Sequence, residues 1–95
     1  PALTARMLPS LQAVVGKANV YEPPLQMGSE DFSLYAQQVP AMFFFVGSTS
    51  AGIDPATAPS NHSPKFLLDE QALDVGLRAL LQLSLDYLHG AGPAP

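Results

Sequence analysis

The sequence contains no cysteine and no tryptophan, and only four of its 95 residues are lysine or arginine. The absence of cysteine excludes disulfides and thiolate metal sites and agrees with a reducing compartment, so we expect a cytoplasmic protein. Eight acidic residues bring the net charge to −4. Because the few cations form no basic patch, the sequence argues against a nucleic-acid partner.

Long apolar runs are also missing. No stretch approaches the roughly 18 consecutive apolar residues that suggest a membrane span. The first residues show no basic segment followed by an apolar one, so no signal peptide is visible, although a start at Pro1 also suits a piece of a longer chain. With 47% apolar and 13% charged residues, we expect a soluble globular protein without a membrane partner.

Apolar residues at helical spacing predict a first and a last helix. The first runs from Leu3 to Val15 and ends at Gly16; Pro9 inside it means that the helix either is kinked or begins after Thr4. The last helix opens at 69, where an aspartate suits the N-cap position, and ends at 90, where a glycine follows the last apolar residue.

A middle helix is expected to begin near Ser29, whose hydroxyl can cap it, and to end at Pro40. The acids Glu30 and Asp31 suit the positive end of this helix. Paired carboxylates can also bind a metal or exchange protons, so a functional role remains the alternative to capping. Capping explains the pair without any chemistry.

Two segments predict strands. Residues 18–21 form a brief one, and 42–46 is an uninterrupted apolar run bounded by Pro40 and Gly47, which is typical of a strand covered on both faces. The order helix, strand, helix, strand, helix predicts an α/β fold with a short parallel pair joined by a right-handed crossover. Because two strands make a poor sheet, we expect a piece of a larger α/β domain.

Residues 47–65 predict a loop of about 19 residues, a length that favours a functional or disordered segment. His62 lies near its end, just before the last helix, where an imidazole is a candidate metal ligand or acid/base group. A histidine that only hydrogen-bonds to backbone is the simpler alternative, because no set of further ligands is visible. The other histidine, His89, suits a structural role in the last helical turn.

Four blocks, taken in order and spacing, resemble the C-terminal end of a family of metal-dependent amidohydrolases, aminoacylases and carboxypeptidases. This family includes hippurate hydrolase, N-acyl-amino-acid deacylases and indole-acetyl-amino-acid hydrolases. The resemblance covers about residues 25–88. The blocks are Met27-Gly28-Ser29-Glu30-Asp31-Phe32-Ser33, Val39-Pro40 leading into Phe43-Phe44-Phe45-Val46-Gly47-Ser48, His62-Ser63-Pro64-Lys65-Phe66, and Asp69-Glu70 with Leu73 and Gly76.

The resemblance implies that residues 1–90 are the C-terminal portion of a three-layer α/β catalytic domain and that 91–95 are a flexible tail. It implies that His62 binds one of two divalent ions, zinc or manganese, and that the turn at Gly28 and Ser29 lines the substrate cleft. Backbone N–H groups of that turn would meet a substrate carboxylate. It places no catalytic residue in this chain.

The activity that the resemblance implies is hydrolysis of the amide bond of N-acyl amino acids or small peptides by a metal-activated water. A glutamate and the other ligands would come from motifs that this sequence lacks, so we expect the fragment alone to be inactive and metal-free. The alternative is a free-standing, non-catalytic α/β interaction domain that kept the fold. Such a domain would pair through an exposed sheet edge with another chain or with itself, as a homo-oligomer.

Overall fold

The computed structural model describes residues 1–90, and within them it is built from helices and irregular segments. The α-helices are α1 (Ala2–Val15), α2 (Phe32–Ala36) and α3 (Gln71–Leu88), and a short 3-10 helix, Lys17–Asn19, follows α1. The predicted tail at 91–95 lies outside the described residues. No helix within 1–90 is long and apolar enough to cross a membrane.

The predicted α/β fold with a parallel pair of strands is wrong, because residues 1–90 form no strand and no sheet. Residues 17–19 adopt a 3-10 helix where a strand over 18–21 was expected. Residues 42–46 belong to no helix or strand, because a strand exists only where a partner exchanges backbone hydrogen bonds with it. The alternative of a free-standing interaction domain assumed that an exposed sheet edge pairs with another chain. Residues 1–90 form no sheet, so that assumption is wrong.

Residues 41–48, which we call the extended segment, nevertheless alternate in burial like a strand with one covered face. Phe44, Val46 and Ser48 are half-buried, whereas Phe43 and Phe45 are 48% and 74% exposed. A Cβ added at Gly76 of α3 would lie 3.9 Å from Val46 Cγ2, so the covered face rests on α3. The expectation of burial on both faces is therefore wrong in this chain, since one face is open.

Aromatic contacts join α2 to the extended segment. The Phe32 ring lies 5.3 Å from the ring of Phe43 and 6.0 Å from that of Tyr35, between centroids. The rings of Phe43 and Phe45 are 5.1 Å apart and nearly perpendicular, an arrangement that aromatic quadrupoles favour. These contacts place the short helix beside the start of the extended segment.

Helices α1 and α3 pack antiparallel and supply the core. The Arg6 guanidinium lies 5.1 Å from the centroid of the Tyr87 ring, which brings the start of α1 to the end of α3. At the other end, Arg78 Nη2 donates to the carbonyl oxygen of Val14 at 3.4 Å. The side chains buried among the described residues are few, namely Met7, Ser10, Leu11 and Ala79.

Helix α1 begins at Ala2 and includes Pro9, so the predicted late start after Thr4 is wrong. Proline cannot donate to the carbonyl four residues earlier. Ala5 and Pro9 both lie on the exposed side of α1, where water can reach that carbonyl. The predicted end at Gly16 is confirmed, with a φ of 87° that suits glycine and a bond from its N–H to the Gln12 carbonyl at 2.8 Å.

The starts of the other two helices differ from prediction by two or three residues. Helix α2 begins at Phe32, and Glu30 Oε1, not the Ser29 hydroxyl, accepts its first N–H at 3.3 Å. Asp69 Oδ1 accepts the N–H of Gln71 at 3.0 Å, as expected of a capping aspartate. The predicted end of α3 at Gly90 is confirmed by a φ of 74°.

Candidate functional site

His62 lies in a chain of tight turns between the extended segment and α3. Its own N–H donates to Ser60 Oγ at 3.4 Å, and the N–H of Ser63 donates to the Ser60 carbonyl at 2.9 Å. Ser63 then receives two bonds, from Lys65 N–H to its hydroxyl at 3.1 Å and from Phe66 N–H to its carbonyl at 3.1 Å. The backbone that carries His62 is therefore organised by the serines on both sides of it.

The imidazole of His62 is exposed and makes no hydrogen bond or ion pair to any residue from 1 to 90. Its backbone is held while its ring is left without a partner. The simpler alternative, a histidine whose ring hydrogen-bonds to backbone, is not what the described residues show. A neutral imidazole whose ring makes no hydrogen bond keeps a nitrogen lone pair that can bind a metal.

The described residues do not assemble a complete metal site around His62. Within 1–90, no three His, Cys, Asp or Glu side chains come together in a way that could hold an ion. Zinc sites in proteins use three or four protein ligands. Any ion held at His62 would therefore need further ligands from outside these residues.

Gly28 and Ser29 lie in the exposed segment that precedes α2. No atom lies within 4 Å of a Cβ built at Gly28, and the neighbouring Met27 is fully exposed. The N–H groups of Gly28 and Ser29 donate to no acceptor within residues 1–90. Within residues 1–90, no hydrogen bond joins Gly28 or Ser29 to the turns around His62. The two candidate regions are therefore not connected to each other by hydrogen bonds.

The acids at 30 and 31 act at the start of α2. The Glu30 side chain accepts the N–H of Phe32, and the carbonyl oxygens of Glu30 and Asp31 accept the N–H groups of Ser33 and Leu34 at 3.2 and 3.0 Å. Only the Glu30 bond involves an acid side chain, which agrees with capping by Glu30, whereas the Asp31 side chain makes no capping bond. Neither acid belongs to a group of three metal-binding side chains within 1–90.

Asp69 connects the two ends of the loop that carries His62. The sequence predicted Asp69 only as a helix cap. Its N–H donates to the carbonyl of Ser48 at 2.9 Å, while its side chain caps α3. One residue thus ties the end of the extended segment to the start of the helix. Ser48 and Asp69 lie far apart in sequence and belong to different resemblance blocks, so only tertiary structure reveals this bond.

Asp86 is a second residue that sequence reasoning missed. A hydrogen bond from the Ser10 hydroxyl, followed by one from the Gln82 amide at 2.9 Å and the nearby charge of His89, lowers the pKa of Asp86, although partial desolvation opposes the shift. Asp86 and Ser10 belong to facing helices. The cluster therefore supports the α1–α3 contact and lies apart from the turns around His62.

The chain matches peptidase family M20/M25/M40 over residues 1–86. It is 37% identical over 75 residues to "IAA-amino acid hydrolase ILR1-like 4" of Arabidopsis thaliana, covering 79% of this chain and 17% of that protein. It is 35% identical over 82 residues to "IAA-amino acid hydrolase ILR1-like 5" of the same plant, covering 86% and 18%.

An archaeal relative shows the same relation. "Thermostable carboxypeptidase 2" of Saccharolobus solfataricus is 31% identical over 87 residues, which cover 92% of this chain and 21% of that protein. No solved structure matches the chain. The chain spans about a fifth of the length of the curated relatives it matches. Because the match to the family extends over nearly all of its residues, the chain belongs to peptidase family M20/M25/M40.

Proposed function

We propose that this chain is the C-terminal portion of the catalytic domain of a metal-dependent amidohydrolase or peptidase. The observation that carries this proposal is the family match over residues 1–86. Relatives are named as hydrolases of IAA-amino acids and as carboxypeptidases, and both names describe cleavage of an amide bond to an amino acid. The whole protein would therefore hydrolyse N-acyl amino acids or small peptides.

His62 is the residue that we propose as a metal ligand. Three observations support it: the ring is exposed, it has no partner within 1–90, and its backbone is held by the bonds of Ser60. We propose that the site of the whole protein holds two divalent ions, either zinc or manganese, and neutral imidazole is a suitable ligand for both metals. A pair of such ions supplies Lewis acidity that activates water and polarises the carbonyl of the substrate. His62 would contribute by holding one ion at the end of an ordered turn.

Gly28 and Ser29 are proposed to bind the substrate carboxylate. Their two backbone N–H groups donate to nothing in the described residues, and Gly28 presents no side chain that would block a close approach. Adjacent backbone N–H groups can bind an anion. The side chain of Glu30 is engaged with Phe32 N–H, which keeps one oxygen of that carboxylate on the helix start.

The isolated chain is proposed to be inactive. Residues 1–90 present no cluster of three metal-binding side chains, so they offer too few donors for a catalytic ion. Hydrolysis would require the ligands and the proton-transferring glutamate of the larger domain.

A chimera tests the proposed function. The 87-residue segment of Thermostable carboxypeptidase 2 that matches this chain would be replaced by the corresponding residues of the chain. We expect the purified chimera to release the C-terminal amino acid of a test peptide and to contain divalent metal. His62→Ala should reduce the rate by more than about 100-fold, because a lost ligand costs more than a lost outer-sphere contact.

His89→Ala is the matched control for this experiment, since it removes the other imidazole from the end of α3. We expect it to retain rate and metal content. If His62→Ala keeps both the rate and the metal of the unaltered chimera, the ligand assignment is wrong. A folded chimera that contains metal but cleaves neither a peptide nor an N-acyl amino acid would contradict the proposed activity.

A further inference from the structure

Residues 21–29 differ from every other connection in the described chain, and we call them the open segment. They belong to no helix or strand, and each of them is exposed. Neither their N–H groups nor their carbonyl oxygens take part in a hydrogen bond within residues 1–90. Their backbone is therefore free to bond to another molecule without any rearrangement of the chain.

The other long connection, residues 49–68, is also largely exposed but is built from turns. The N–H of Ile53 donates to the carbonyl of Ser50 at 3.2 Å, and the N–H of Thr57 donates to the carbonyl of Asp54 at 3.1 Å. Proteases cut folded proteins at exposed connections whose backbone opens easily. Such opening would break bonds in 49–68, whereas the open segment has none to break.

The apolar side chains of the open segment suit a protease with an apolar primary pocket. Tyr21, Leu25 and Met27 are 79%, 101% and 107% exposed. Prolines at 23 and 24 lie between Tyr21 and Leu25 and have no N–H to donate. The bonds that follow Tyr21 and Leu25 therefore have fewer neighbouring backbone donors than the bond that follows Met27.

The bond between Met27 and Gly28 combines free donors with open space. Leu25 and Gln26 precede it, and both have an N–H and a carbonyl oxygen without a partner in residues 1–90. On its other side, no atom lies within 4 Å of a Cβ built at Gly28. A protease could thus bind the backbone before the bond and approach it without steric hindrance.

We propose that the Met27–Gly28 bond of the folded chain is a cleavage site for a protease whose primary pocket is apolar, and that the cut chain stays assembled. Cleavage adds one water across the bond, so that Met27 gains a carboxylate and Gly28 gains a charged amino group. It also removes the amide N–H of Gly28, one of the two proposed donors to the substrate carboxylate; this consequence alone rests on the proposed function.

The contact between α1 and α3 would hold the two products together. The product that ends at 27 carries the buried Met7 and Leu11, and the product that begins at 28 carries the buried Ala79. The bond from Arg78 Nη2 to the Val14 carbonyl also joins the two products. None of these contacts involves the open segment, so the cut leaves them in place.

Limited digestion with chymotrypsin, whose primary pocket is a hydrophobic slot, tests the site on the 95-residue chain. Intact-mass spectrometry at early times should show 1–27 and 28–95 as the first products. The two should elute together in size-exclusion chromatography and separate in urea. A first cut at any other bond, or products that separate without denaturant, would overturn the proposal.

Met27→Asp should slow the first cut by more than about tenfold, because a charge would have to enter an apolar pocket. Leu67→Asp is the matched control, since it places the same charge at a side chain that is 80% exposed and lies outside the open segment. The control should be cut at the rate of the unaltered chain. Equal rates for Met27→Asp and the unaltered chain would show that Met27 does not direct the cut. These readouts do not involve hydrolysis by the chain itself, so they are independent of the proposed function.

Discussion

The carboxylate of Asp86 on α3 accepts a hydrogen bond from the buried hydroxyl of Ser10 on α1. The Gln82 amide donates to the same carboxylate at 2.9 Å. Asp86 is only half-buried, so this polar pair lies at the edge of the helix contact, beside the buried Met7 and Leu11 of α1. The Ser10 side chain therefore connects α1 to the polar cluster on α3.

The first prediction concerns the pH dependence of stability. The bonds from Ser10 and Gln82 hold the folded pKa of Asp86 below its ordinary value of 3.8. The stabilisation is therefore complete above that value and is lost as the pH falls through the lower, folded pKa. Ser10→Ala should weaken this dependence, so that the free energy of unfolding falls less steeply below about pH 4.

Urea unfolding at a series of acidic pH values measures this effect. Ser84→Ala is the control, because the Ser84 hydroxyl donates to the Leu80 carbonyl within its own helix at 2.7 Å. The control should keep the pH dependence of the unaltered chain. An equally steep acid dependence in Ser10→Ala would show that Ser10 does not stabilise the ionised carboxylate.

The second prediction concerns the core. Met7 is 3% exposed and lies between α1 and α3, so Met7→Ala should cost about 2–5 kcal/mol of the free energy of unfolding. In a chain with so few buried side chains, this loss is a large part of the total stability. Far-UV circular dichroism during urea titration measures it.

Met27→Ala provides the comparison, since the Met27 side chain is fully exposed. Because it removes the same atoms from an exposed position, Met27→Ala should leave the urea concentration at the unfolding midpoint unchanged. Similar midpoints for the two variants would mean that the α1–α3 contact is not the stabilising core of the isolated chain.

The third prediction concerns two glycines at different backbone conformations. Gly76 lies inside α3, and an added Cβ would make only an ordinary contact at 3.9 Å with Val46. Gly76→Ala should therefore stabilise the isolated chain by about 1 kcal/mol through helix propensity. Gly90→Ala should destabilise it by about 1 kcal/mol, because its φ of 74° is unfavourable for alanine.

Thermal unfolding of the two variants measures both effects. Opposite shifts in Tm, upward for Gly76→Ala and downward for Gly90→Ala, are expected. A downward shift for Gly76→Ala would show that the extended segment packs more closely on α3 than a Cβ allows.

The sequence by itself determined that three α-helices form and which family the chain belongs to, although the middle helix is shorter than predicted. An α-helix closes its hydrogen bonds within one segment, so local signals such as Gly16 and Gly90 predict where it ends. The order of four blocks identified the family that the comparisons confirm. The sequence also singled out His62 as a candidate, because its place at a loop end is visible without any tertiary structure.

Only the tertiary structure decided what depends on distant partners. Residues 42–46 have the composition of a strand, yet within 1–90 they remain an extended segment on α3, since a strand requires hydrogen bonds from a neighbour. The bond between Ser48 and Asp69 and the contact between Ser10 and Asp86 likewise join residues that no local pattern connects. The sequence likewise could not show that the His62 ring has no partner within 1–90, because the side chains near it are brought there only by folding.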